Sequence, residues 1–253
     1  MAKMAVSKPH FGVLFDVDGV IVRNKPLLHK VGKNCTQFIN LVNRHKIYPH
    51  ELEKYNKKLY SEHGHTLKGW LVDNPAYARQ FNKEFMIQLF NRYVYNDEVL
   101  LELETYLSNN EFKPIFEEVN HSVNICKSNQ VFIGLFSNAP EMWCNIVANR
   151  INIPLENVYS SCHELLQPHM LYKPELDTYN KVTQDILKKD YKIQELLFID
   201  DSLKNLTTLS MPPDSWFGPW KPIYFNPEKI SVRKDLQCVE SISEVNNILI
   251  SKI

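Results

Sequence analysis

The chain lacks a charge bias, a long apolar run and any paired-cysteine motif. Its 29 basic residues balance 29 acidic ones, for a formal net charge of +0. That gives no electrostatic case for a nucleic acid polymer or an acidic membrane surface as partner. No stretch reaches the roughly 18 uninterrupted apolar residues that a membrane-spanning helix needs. The five cysteines (Cys35, Cys126, Cys144, Cys162 and Cys238) are scattered, odd in number and free of any CxxC pair. This argues for free thiols in a reducing compartment rather than a disulfide framework. The opening residues, MAKMAVSKPH, lack the apolar core of a signal peptide, so a cytoplasmic location is expected. What remains is ordinary for a globular protein: 44% hydrophobic and 23% charged residues in a chain of 253. That length suits one large domain or a core with a smaller companion.

Short apolar runs read as buried parallel strands: GVLFDV from Gly12, VFIGLF from Val131, LLFID from Leu196 and, more weakly, PIYF from Pro222. Helical patterns fall between them, at 117–127, at APEMWCNIVANR with Pro140 as first helical residue, and at KPELDTYNKVTQDILKK with Pro174 and Glu175 at its start. Residues 239–253 read as a final helix. This alternation predicts a doubly wound, mainly parallel α/β sheet. The interval 24–110 offers no convincing strand but has helical stretches at 26–44, 50–63, 75–95 and 97–107. It reads as a helical insertion, a cap over a core made of residues 1–23 and 111–253. Within the 75–95 stretch, Asn74 is placed as N-cap, Pro75 follows it, and Tyr77, Phe81, Phe85 and Leu89 recur every four residues. That stripe reads as cap core.

Four short motifs occur at or just beyond the ends of predicted elements: Asp16-Val17-Asp18, Ser137-Asn138, Lys173-Pro174 and Asp200-Asp201-Ser202. Open α/β sheets bind ligands outside the carboxyl ends of their strands. Each motif alone has an ordinary reading: turn-forming acids, a helix cap, a solvated lysine. Their order and shared context outweigh those readings. Asp16 and Asp18 lie on the same side of an extended chain, an electrostatic liability unless positive charge compensates them.

The stretches FDVDGV, LFSNA, KPELDTY and FIDDSLKN together resemble the haloacid dehalogenase-like superfamily of Mg²⁺-dependent phosphotransferases. The resemblance implies that Asp16 attacks phosphorus to form an aspartyl-phosphate. Asp18 would protonate the leaving oxygen and later deprotonate water. Asp16, Asp201 and the backbone carbonyl of Asp18 would hold Mg²⁺. Lys173, Ser137 and the backbone amide of Asn138 would bind the phosphoryl group. Asp200 would support the metal shell from a position where many relatives carry glycine. The superfamily often has a further acid where this chain has the uncharged Asn205. An acid at Asp18 favours phosphate chemistry over dehalogenation.

The cap stretch LYSEHGHTLKGW, from Leu59 to Trp70, resembles the LY..YG.TL.GL pattern of the pyrimidine 5′-nucleotidase-like branch through Leu59, Tyr60, Gly64, Thr66, Leu67 and Gly69. The first motif departs from that branch, with Gly19-Val20 where Asn-Thr is usual. The favoured substrate is a small-molecule phosphate ester, specifically a nucleoside monophosphate. Trp70, Tyr77, Arg79 and Phe81 are candidates for its base pocket. Sugar or other metabolite phosphates, a phosphomutase and a non-catalytic regulatory protein are the alternatives. The intact set of Asp16, Asp18, Lys173 and Asp201 argues against the last. His63 and His65 read as packing histidines, and Cys162, His163 and His169 lack a zinc spacing. The aromatic stretch PDSWFGPW at 213–220 reads as a structural plug.

Overall fold

A computed structural model describes residues 10–43, 49–80, 82–161, 163, 166, 170–189, 193–209, 219–229 and 236–253. A parallel sheet is built from β1 (Phe11–Phe15), β2 (Phe132–Phe136), β3 (Val158–Tyr159), β4 (Glu195–Asp200), β5 (Trp220–Phe225) and β6 (Gln237–Val239), in the order β3-β2-β1-β4-β5-β6. The central strand β1 registers Val13 against Ile133 on one side and Leu197 on the other. The four expected strands are present. Strands β3 and β6 were not expected, because their two and three residues leave too little pattern to read.

The helices are α1 (Lys25–Val42), α2 (Pro49–His63), α3 (Thr66–Asp73), α4 (Pro75–Gln80), α5 (Lys83–Val94), α6 (Asp97–Ser108), α7 (Lys113–Ser128), α8 (Glu141–Arg150), α9 (Leu176–Lys188), α10 (Leu203–Leu209) and α11 (Ile242–Lys252). Alternation along the strands sends side chains to both faces of the sheet. Phe11, Val13 and Phe15 pack with Leu103 of α6, Val119 of α7, Trp143 of α8 and Val245 of α11. Leu14, Phe136 and Phe198 pack on the other face with Tyr179 of α9, Leu206 of α10 and Trp220. The sheet is therefore doubly wound, as expected. Among the described residues, no helix is long and apolar enough to cross a membrane.

Helices α1 to α5 enclose their own apolar cluster, which includes Phe38, Leu59, Trp70, Ile87 and Phe90. The stretch 75–95 is not one helix. Asn82 starts α5 afresh, its side chain accepting from the Glu84 amide at 2.8 Å. Phe85 and Leu89, expected in a cap-core stripe, face outward instead, 54% and 37% exposed. The neighbouring stripe Met86, Phe90 and Val94 packs inward, and Phe90 meets Phe38 edge-on at 5.1 Å. Phe81, Cys162, His169 and 213–218 of the aromatic stretch lie outside the described residues. Two proline positions also differ from expectation. Pro140 is the N-cap of α8, and α9 begins at Leu176 with Glu175 as its N-cap. Lys173 thus sits in a turn ahead of the helix, since a residue before proline is driven from helical backbone angles.

Phe198 is fully buried among Phe136, Tyr179 and Trp220, with ring centroids 5.4–6.2 Å away. Phe198→Ala is expected to cost about 3–5 kcal/mol, including the cavity left behind. Urea unfolding followed by circular dichroism checks this; a loss below about 1 kcal/mol would mean the aromatic cluster is not load-sharing in this way.

Candidate active site

The strand ends bring the four motifs together. Asp16 continues β1, its amide donating to the Ile199 carbonyl of β4 at 2.8 Å. Val17 turns into the core, fully buried, which leaves Asp16 and Asp18 on the open side. Asp16 Oδ1 accepts from the Val17 amide at 2.7 Å and lies 2.9 Å from Lys173 Nζ. No described residue bonds its other oxygen, Oδ2. Lys173 is 1% exposed. Its ammonium also reaches Asp200 Oδ2 at 2.8 Å and the Phe136 carbonyl at 3.0 Å. These contacts match the three protons the group can donate. The rings of Phe136 and Phe198 lie 5.3 and 5.0 Å from Nζ, which adds cation–π attraction.

Asp200 is fully buried and saturated with donors. Besides Lys173, Ser202 N donates to Oδ1 at 2.7 Å, and Asn205 Nδ2 reaches both carboxylate oxygens at 3.1 and 2.9 Å. Asp200 is thus first of all the anchor of Lys173. The uncharged Asn205 has a reason as well: an acid there would face Asp200 with no proton to share. Asp201 points the other way, into the open cleft, and packs on Gly19. That glycine has φ +83°, and a Cβ on it would overlap the Asp201 carboxylate.

Asp18 Oδ1 accepts from Trp143 Nε1 at 2.9 Å. Trp143 is not among the residues expected at the site. Its position three residues past Pro140, on the first turn of a helix opening at the Ser137-Asn138 motif, was the available signal. Ser137 is buried beside the same cleft, its Oγ accepting from the Ala139 amide at 3.2 Å. The Asn138 side chain was also missed as a structural element. Its Oδ1 accepts from Lys173 N at 2.8 Å, and its Nδ2 donates to the carbonyls of Lys173 and Gly64 at 2.9 Å each.

Crowded carboxylates in a buried cleft resist ionisation. Burial raises Asp16 well above the usual range; Lys173 opposes this, while Asp200 and Asp201 add to it. Asp18 is pushed up to about 6 by burial, against the Trp143 hydrogen bond and the Lys173 charge. Asp201 is raised to about 7 by burial and then by Asp200. For Lys173 burial acts downward, but the Asp16 and Asp200 charges prevail and keep it protonated.

The cleft continues into a cavity of about 950 Å³ between the strand ends and the cap. Cap residues Thr36, Asn56, Tyr60, His65, Thr66 and Tyr95 line it together with Asp16, Asp18, Ser137, Asn138, Lys173 and Asp201. Tyr95 meets Trp143 edge-on at 5.4 Å, close to Asp18. His65 is buried against Tyr172, rings stacked at 4.1 Å, and burial and then Lys68 lower its pKa to about 3, so it is neutral. Two of the expected base-pocket residues, Trp70 and Arg79, are not in this wall. Trp70 is consumed by the cap's own core, and Arg79 is exposed on a helix that does not border the cavity. The Tyr77 side chain and Phe81 lie outside the described residues.

No protein-family model matches the sequence, and no curated protein does. Solved structures do. The chain superposes on the HAD-hydrolase YfnB from Bacillus subtilis, described as bound to magnesium, with a TM-score of 0.51 at 14% identity, over 96% of this chain and 99% of that one. The chain has the haloacid dehalogenase-like fold. A hydrolase of the same type from Deinococcus radiodurans, with bound phosphate and sodium, aligns at TM-score 0.48 and 15% identity over 97% of each chain.

In this haloacid dehalogenase-like fold the implied cation is Mg²⁺, and the donor set fits it. Asp16, Asp200 and Asp201 each offer a carboxylate oxygen, all within 4.8 Å of one another. Hard oxygen ligands are what Mg²⁺ takes. Because Asp200 is already saturated, Asp16 and Asp201 are the side chains that would hold the ion.

Asp201 generates a pH prediction. In metal-free protein its carboxyl keeps a proton up to about 7, whereas the unfolded chain releases it near 3.9. A raised acid pKa means stability is lost as pH rises from about 4 through 7. Asp201→Asn removes this titration without changing shape. Because the carboxylate opens onto the solvent of the cleft, screening reduces the effect, and the variant should exceed wild type by about 1 kcal/mol near pH 8 in chelator and by little near pH 4. Urea unfolding at both pH values measures the gap; a constant gap would contradict the assignment. Added Mg²⁺ should then stabilise wild type and not the variant.

Proposed function

We propose that this chain is a phosphomonoester hydrolase working through an aspartyl-phosphate, with a nucleoside monophosphate as favoured substrate. One observation carries the reading: Asp16 Oδ1 is pinned by Lys173 and the Val17 amide while Oδ2 is left without a described partner at the floor of a capped cavity. A carboxylate held by one oxygen and open at the other is oriented as a nucleophile. Oδ2 attacks phosphorus, the bond to the leaving oxygen breaks, and Asp18 gives that oxygen its proton. Asp18 then takes a proton from the water that attacks the aspartyl-phosphate, releasing inorganic phosphate and restoring Asp16. A carboxyl raised to about 6 is suited to move a proton in both directions near neutrality. Trp143 fixes which way Asp18 points. Lys173 supplies positive charge beside the transferring group, and Ser137 borders the same space. Bound Mg²⁺ would offset the charge of the phosphate dianion against Asp16 and Asp201.

The nucleoside preference rests on the cavity. Its volume of about 950 Å³ accommodates a leaving group the size of a nucleoside. Its wall combines the ring of Phe90 with polar groups on Tyr60, Tyr95 and Asn56, suited to a ring system bearing hydroxyls. A phosphomutase would use the same floor, so product analysis separates the two: free phosphate marks hydrolysis, an isomerised phosphate ester marks the mutase.

A phosphate-ester panel assayed with Mg²⁺ tests the proposal, nucleotides against sugar phosphates. Turnover is expected, highest on nucleoside monophosphates; none across the panel would sink the hydrolase reading. Asp16→Asn should abolish turnover. Asp18→Asn should lower kcat by about 100- to 10 000-fold while substrate still binds. Retention of most activity in Asp16→Asn would remove Asp16 as nucleophile.

A further inference from the structure

The loop that carries Lys173 is shared between core and cap. Leu171 packs with Phe136 and Phe198 on the sheet, whereas its neighbours Met170 and Tyr172 pack in the cap's cluster with Trp70 and Phe90. Polar contacts follow the same division. Lys68 of α3 donates to the Met170 carbonyl at 2.9 Å, pairs with Glu175, and lies 5.8 Å from the Tyr172 ring centroid. His65 stacks on Tyr172. The Gly64 carbonyl shares the Asn138 amide with the Lys173 carbonyl. Gly64 has φ +72°, and a Cβ on it would overlap that Lys173 carbonyl oxygen, so the cap backbone rests directly on the lysine's own.

Lys173 Nζ keeps partners at 2.8, 2.9 and 3.0 Å. Hydrogen bonds of this length weaken steeply with displacement and bending, so an ångström of movement in the 170–175 backbone disperses the ammonium's contacts. That backbone is held from the core side by Asn138 and from the cap side by 64–68. We propose that the cap segment 64–68 is a positioning element for Lys173, acting through the backbone of residues 170–175. Docking of the cap and placement of the ammonium are then a single event, and a cap displaced from its seat withdraws the charge that the floor of the site requires. The consequence for turnover rests on the hydrolase reading; the mechanical coupling does not.

Lys68→Met and Glu175→Gln each remove the ion pair without touching a reacting group. Amide hydrogen exchange on the full chain, read by mass spectrometry, reports the coupling directly. Exchange in 170–176 is expected to rise about fivefold in either variant, in step with 61–69, the size of effect a partly exposed ion pair supports. Lys68→Arg, which keeps the charge opposite Glu175, should stay at the wild-type rate. With a phosphate ester as substrate, kcat of Lys68→Met should fall by a similar factor while KM changes less than about twofold. Faster exchange in 61–69 alone, or in neither segment, overturns the coupling. A loosened 170–176 with unchanged kcat overturns the positioning role. Should wild type turn over no ester at all, the hydrolase reading fails while the exchange result still decides whether cap and loop move together.

Discussion

An ammonium buried between two buried carboxylates governs this site. Lys173, Asp16 and Asp200 are 1%, 7% and 0% exposed, and an ion so far from water is tolerated only with partners in place. Losing one partner of such a group costs about 3–5 kcal/mol, because the other charge stays buried and alone. Much of the local architecture serves this requirement. The β1 turn aims Asp16 at the lysine, the end of β4 supplies Asp200, and the Phe136 carbonyl closes the remaining valence. Yet one lysine faces Asp16, Asp18, Asp200 and Asp201. The negative charge left over expresses itself in the raised carboxyl pKa values. A floor of that kind accepts protons or a cation readily, and it would repel a phosphate dianion unless one of them is present.

Asp200 and Asn205 are best understood as a pair. With a carboxylate at 200 bonded to Lys173, position 205 has to donate, and the Asn205 amide does so to both oxygens. The uncharged residue at 205 is thus tied to the acid at 200 through the hydrogen-bond requirement of a buried carboxylate.

The sequence made the core legible because its signals there are local. Two apolar runs end in acids and a third in Ser137-Asn138, and these strand ends, with Lys173 in order between them, were enough to anticipate the doubly wound sheet and the meeting of Asp16, Asp18, Ser137, Lys173 and Asp201. What escaped depends on contacts far apart in the chain. Trp143 reaches Asp18 across 125 positions, and Asn138 reaches Gly64 across 74. Strands of two and three residues carry no periodicity to read. The interval 24–110 was legible as helical, but not in its facing: α6, at its end, packs into the cluster on β1. Helix α5 has apolar stripes on adjacent faces, and only packing against Phe38 decides that Phe90 turns inward while Phe85 turns out. Trp70 was misplaced for the same reason: a tryptophan in a helix suits a core as well as a ligand wall.

The sheet order explains why the cavity wall is the hard part to read. The strand order changes direction beside β1, so the crevice at its carboxyl end is where ligands bind in this class of sheet. The chain leaves for α1 from that same end, shortly after the candidate nucleophile. Helices inserted there roof the crevice, and their inner faces become its wall. Floor residues are constrained by the charge arithmetic around Lys173, which admits few side chains at few positions. Wall residues answer only to the shape and polarity of what the cavity holds, and fall wherever helix packing turns them. Tyr60 from α2, His65 ahead of α3 and Tyr95 after α5 meet at the cavity from separate elements, so no spacing in the sequence announces them. On the proposed function, reaction chemistry is therefore written in short motifs, whereas substrate choice is written in the packing of the cap.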